Sequence, residues 1–209
     1  MTAALSSRKG GRRGFRSDAS GVAAVEFSII LPFALALMAL VVYGGQLYRV
    51  QRKVSLGAAT VANLVAQGGN TAAATISTAE MNQILAYPNL ILYPNDSSAL
   101  EVVVSELKVT VVSGVGTATV SEFWANTNAT NAHATPTCNQ QVPIDANIVN
   151  ALNGPPGNSG VYYVIQGQVL NPFQPYDLYG SVAAVTLHDS VLMIPRTSDT
   201  GVTGPNPPC

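Results

Sequence analysis

The sequence predicts an α+β fold: a long N-terminal helix followed by a small domain with an antiparallel sheet of about 4–5 strands. Three observations predict it. The run 27–45 is nineteen residues of nearly unbroken apolar character, interrupted only by Ser28 and Pro32. Behind it, Leu47, Val50, Val54, Ala58, Val61 and Val65 recur at steps of three and four, the spacing of one helical face. Beyond Pro88 the chain changes to short β-branched runs separated by Gly, Pro and Asn.

Composition bounds the reading. Of 209 residues, 47% are hydrophobic and only 10% are charged, against about 25% charged in an average soluble domain. The net charge is −1, so no global field points to nucleic acid. The length suits one modest domain plus a membrane segment.

The N-terminus is basic. Arg8, Lys9, Arg12, Arg13 and Arg16 precede the apolar run, with only Asp18 against them. A basic head before an apolar stretch is either a secretory signal, with a core of about 7–15 residues, or a membrane anchor of about 20. The length favours an anchor, and the small residues Ala34, Ala36 and Ala39 that would form a signal cleavage site fall inside the run. Five basic residues before the span outnumber the three just after it, Arg49, Arg52 and Lys53. The positive-inside rule then puts the N-terminus in the cytoplasm and the remainder outside.

One carboxylate, Glu26, stands at the start of this apolar segment. At a bilayer centre an ionised side chain costs about 2.5–3.5 kcal/mol; near the edge it reaches the interface more cheaply. One reading is a carboxylate at the membrane surface with no role. The other uses spacing. A cut after Gly21 would make Val22 the new N-terminus, and its α-amino group would be a helical neighbour of Glu26 four residues on. The two charges would neutralise each other within one chain or across a packed pair. Gly21, lacking a Cβ, admits close approach of a peptidase; by itself it is also a plain helix start.

The stretch "GVAAVEFSIILPFALALMALVVYGGQLYRVQRKVSLGAATVANLVA" resembles the TadE-like proteins of the Tad (Flp-type, type IV) pilus system. The basic leader, Gly21, "AAVEF" entering the membrane, "LPF" after it and "GGQLYRVQRKV" leading into an Ala-rich helix carry the resemblance. It implies a minor pseudopilin in the bacterial inner membrane with its C-terminal domain in the periplasm, matured by prepilin peptidase. Gly21 and Val22 would flank the cleaved bond and Glu26 would be the assembly carboxylate. The implied partners are the membrane, other pilin or pseudopilin subunits, the assembly platform and the peptidase.

The expected organisation is a leader at 1–21, a transmembrane helix at 22–45, a helical extension at 46–67 and an extracytoplasmic α+β domain at 68–209. A continuous helix over 22–67 would be about 69 Å long, with Pro32 a candidate kink, Gly44-Gly45 a soft point and Gly68-Gly69 its end. Its stripe suits packing on the chain's own domain or on other pilin helices alike. After a small-residue linker at 68–74, Ser77–Tyr87 reads as a short helix with a Ser77/Glu80 capping box, stopped by Pro88. Candidate strands are 90–93, 99–113, 117–125, 160–170 and 181–195, with a hairpin turn at Gly114-Val115-Gly116. The polar stretch 126–159 holds one short helix, Asp145–Asn153, and the turn Gly154–Gly157.

Little in the sequence suggests chemistry. His133 and His188 lack the company a metal site needs, and His188 and Asp189 are strand neighbours facing opposite ways. Glu101 and Glu106, five apart on one strand, also face opposite ways. Asp96 reads as a turn former and Trp124 as core. No enzyme activity, cofactor or metal is expected. The alternative to a pilus component is a single-pass envelope protein whose outer domain binds a ligand or acts as an enzyme. Cys138 and Cys209 both lie beyond the anchor, where an oxidising compartment suits a disulfide between them. Two free thiols, or a bond from Cys209 to another subunit, are the alternatives.

Overall fold

The computed structural model describes residues 19–68, 75–95, 98–126, 128–129, 135–153, 160–174, 184–196, 202 and 204–205. The leader up to 18, most of the linker, Asp96, His133, Gly154–Gly157 and Cys209 lie outside the described residues. The chain divides into two compact units, Met1–Gly45 and Gln46–Cys209. Helix α1 (Ala19–Ala66) contributes to both.

In the first unit, every residue of α1 from Gly21 to Met38 is exposed, large apolar side chains included. This helix is long and apolar enough to cross a membrane. Pro32 lies inside it.

In the second unit, five antiparallel strands form one sheet in the order β3-β2-β1-β4-β5. They are β1 (Glu101–Val112), β2 (Val115–Ala125), β3 (Gln141–Val142), β4 (Gly160–Phe173) and β5 (Val185–Met193). β1 is central and pairs along nearly its whole length with β2 and β4. Glu101 to Leu107 are all buried, because helices and loops cover both faces there. That coverage is why the sequence of β1 reads as a continuous β-branched run rather than a strict alternation.

The second half of α1 covers one face. Val54, Ala58, Val61 and Val65 are fully buried and share a core with Val102, Val104, Ile165, Val169 and Trp124. The predicted stripe therefore packs on the chain's own sheet. Gly167 sets the approach: a Cβ there would stand 2.6 Å from the Ala58 carbonyl oxygen and 2.9 Å from Ala62 Cβ. The helix ends with Gly68 at φ 69°, as its sequence predicts. The Ala66 carbonyl accepts a hydrogen bond from the Arg196 amide at 2.9 Å. On the opposite face, Leu107, Val109, Val111, Ala118, Val120 and Val164 pack with Val149 of α3 (Ala146–Asn153). Asp145 caps α3 by accepting from the Asn147 amide at 2.7 Å.

Four sequence expectations need correction. Helix α2 (Thr78–Leu92) does carry the Ser77/Glu80 capping box, but it runs through Pro88 instead of stopping there. An interior proline costs about 3 kcal/mol. Here Ile84, Leu85, Pro88 and Leu92 are all buried, and Pro88 faces Gly57 of α1 so closely that a Cβ on Gly57 would lie 3.3 Å from it. Packing outweighs propensity. Consequently 90–93 is the end of α2, not a strand. The helix stops at Tyr93, whose ψ of 137° is the extended conformation required before Pro94. Thirdly, the hairpin turn is Ser113-Gly114, at φ 51° and 83°, one residue earlier than expected. Lastly, the short strand β3 emerges from the polar stretch, held to β2 through Ala118 and Thr119.

β2 also contains a bulge. Val112 pairs with Val115 and Leu107 with Val120, but Glu106 pairs with Glu122. Ser121 is the extra residue. An insertion of one residue exchanges the faces of a strand. Ala118 and Val120 thus belong to the α3 side, whereas Trp124 turns to the core beneath α1.

Candidate functional site

The predicted processing segment lies on the exposed start of α1. Around Gly21 there is no atom within 4 Å of where a Cβ would stand. Val22 is 60% exposed and Phe27 64%. Val22 and Glu26, four apart on the helix, share one face. Among the described residues no hydrogen bond or ion pair engages the Glu26 carboxylate, while the adjacent Ser28 hydroxyl returns to the Val25 carbonyl at 2.8 Å. Among the described residues nothing holds this face.

The second unit contains a carboxylate pair that the sequence does not reveal. The bulge sets Glu106 opposite Glu122 on adjacent strands, and both are buried, at 4% and 7% exposure. Glu106 accepts from the Ser121 hydroxyl at 2.8 Å and from the Val202 amide. Glu122 accepts from the Gly204 amide at 3.3 Å. Burial pushes the Glu106 carboxyl up from its ordinary range, and the Val202 and Ser121 hydrogen bonds oppose that without cancelling it. Burial raises Glu122 as well, opposed by the Gly204 amide and reinforced by the charge of Glu106. The amides at Val202 and Gly204 draw the C-terminal residues against the sheet. Val202 is buried in the main core, and Gly204 lies so near Trp124 that a Cβ would meet the indole at 2.1 Å. The pair's polar capacity is therefore spent on chain fastening. No sequence signal marks it, because an unbulged hairpin closing at Ser113-Gly114 would set Glu106 opposite Ser121.

The remaining candidates stay apart. His188 is exposed on β5 and engages Gln51 only through its carbonyl. Asp189 accepts from the Ser190 amide at 2.8 Å. Trp124 is buried, and its indole N–H has no hydrogen-bond partner among the described residues. Among the described residues no group of three or more His, Cys, Asp or Glu side chains is placed to hold a metal. Cys138 lies in an exposed turn before β3 and is not a free thiol; Cys209 lies outside the described residues.

An exposed apolar helix followed by a small α+β sheet unit is consistent with the class of single-pass membrane proteins. Within it, residues 21–63 match the model of the TadE family, described as TadE-like protein. The match covers the apolar segment and the amphipathic half of α1, about a fifth of the chain, and is consistent with a TadE-like Tad pilus component. No curated protein and no solved structure matches the chain.

Proposed function

We propose that this chain is a minor pseudopilin-like component of a Tad-type pilus, anchored in the bacterial inner membrane by one span with its sheet domain in the periplasm. The family match over 21–63 carries the reading. The unburied apolar helix and the five basic residues before it support the anchor and its orientation. In this reading prepilin peptidase cuts after Gly21, and Glu26 neutralises the new α-amino group of Val22, its own or a neighbour's, during assembly. Other pilin subunits and the assembly platform are the partners. The α1 stripe from Val50 to Val65 is occupied by the chain's own sheet, so the face left for those partners is the exposed first half.

The test is the mass of the mature protein and of two variants. The wild-type chain should begin at Val22. Gly21→Val should persist as uncut precursor, and the open space around Gly21 means that a change in cleavage would not arise from a packing clash. Glu26→Ala should be made, inserted and cut, yet piliation should fall. Normal maturation of Gly21→Val removes the cleavage site from the reading; normal piliation with Glu26→Ala removes the assembly carboxylate.

A further inference from the structure

The three cations just past the span oppose the positive-inside rule, and two of them are engaged within the second unit. The Lys53 ammonium donates to the carbonyls of Tyr93 at 2.8 Å and Leu92 at 3.3 Å, closing the C-terminal end of α2. The Arg52 guanidinium lies 6.0 Å from the centre of the Tyr48 ring. Arg49, one turn before Lys53, is exposed, and among the described residues no hydrogen bond or ion pair engages it.

Arg49 opens onto a cleft of about 290 Å³ within the second unit. Gln46, Arg49, Lys53 and Asn95 supply its polar lining, and Val50 and Phe173 its apolar wall. The Asn95 amide is already turned to the Leu92 carbonyl at 2.9 Å, and Lys53 has one N–H left after its two carbonyls. The free capacity of the cleft is thus cationic, apart from Gln46 Oε1, a buried acceptor with no hydrogen-bond partner among the described residues. Tyr48 on α1 and Leu90 and Tyr93 at the end of α2 are 65%, 73% and 78% exposed. Gln46 directly follows Gly45, the last residue of the predicted span. Cations, an apolar wall and exposed tyrosines at a membrane exit form the residue set of a lipid interface.

We infer that the Arg49–Lys53 cleft, with Arg52 beside it, binds the phosphate of an anionic phospholipid, the glycerol and first methylenes lying against Val50 and Phe173. This rests on the reading of α1 as a membrane anchor. A guanidinium suits a phosphate oxygen pair through parallel N–H donors, and an anionic headgroup supplies the charge that neither arginine finds within the described protein.

The full chain is reconstituted in nanodiscs of phosphatidylcholine with increasing phosphatidylglycerol, and retained lipids are counted by native mass spectrometry after release. The comparison is with Arg49→Gln/Arg52→Gln, checked for an unchanged unfolding midpoint. The leader is common to both proteins, so the difference between them reports the cleft. At an anionic surface each basic side chain contributes about a fivefold gain in affinity. The variant should therefore lose one retained phosphatidylglycerol, or need about 25-fold more to keep it. Equal retention by the two proteins overturns the inference, as does equal retention of phosphatidylcholine. Displacement of the lipid by millimolar inorganic phosphate also overturns it, because the site is then one for the free anion. Failure of the wild-type chain to enter nanodiscs is a separate result, and it refutes the anchor and the headgroup site together.

Discussion

Glu106 has two hydrogen-bond donors, Ser121 and Val202, and still ionises with difficulty. Desolvation outweighs both donors, and the charge of Glu106 in turn helps to raise the facing Glu122. A carboxyl whose folded pKa is raised above its ordinary 4.5 favours folding while protonated in both states. That contribution is full below about 4.5 and is lost as pH rises through the folded value. The Glu106→Gln variant keeps an acceptor for the Val202 amide and carries no charge. Its urea midpoint should exceed that of wild type at pH 7, and the two should converge below about pH 4.5. Trp124, the only tryptophan and a buried one, reports the transition by fluorescence. A variant midpoint at or below wild type at pH 7 would mean that the buried charge is fully compensated. The Ser77/Glu80 capping box was readable from spacing alone, since both partners lie within one helical turn. Glu106 and Glu122 were not, because their meeting depends on a register that crosses the hairpin.

Among the elements, α1 and β4 depend on each other through Gly167. The Ala58 carbonyl and Ala62 occupy the space that a side chain there would fill. Gly167→Ala forces either a helix shift or a bent strand, and overpacking of this kind costs about 1–3 kcal/mol. The expected result is a lower denaturation midpoint with secondary structure retained; an unchanged midpoint would show that α1 moves outward at no cost. The same contact logic explains the errors in reading α2. Pro88 is a stop signal in an isolated helix, but its ring is buried against Gly57. The true stop is Pro94, which acts on Tyr93 by a local steric rule. "LILY" has the composition of a strand, yet Leu92 is fully buried in the helix-covered core. β3 escaped detection because a two-residue strand has no period to recognise.

For the molecule as a whole, a remaining expectation concerns Cys138 and Cys209, the only two cysteines. If they pair, the closed loop is about 72 residues and contributes roughly 4 kcal/mol on the chain-entropy model. Denatured, unreduced protein should then offer no thiol to a labelling reagent. Two reactive thiols per chain would refute the pairing, and a disulfide-linked dimer on a non-reducing gel would assign Cys209 to another subunit. By itself the sequence determined the long helix, its apolar first half, the amphipathic stripe behind it and the strand-rich remainder. Each of these follows from a periodicity or a local rule that acts over a few residues. Only the tertiary structure decided which partner the stripe takes, that α2 passes through Pro88, and that one extra residue at Ser121 turns Trp124 to the core and sets Glu122 against Glu106. Those outcomes depend on contacts between distant segments, where burial and register outweigh the local preference of any single residue.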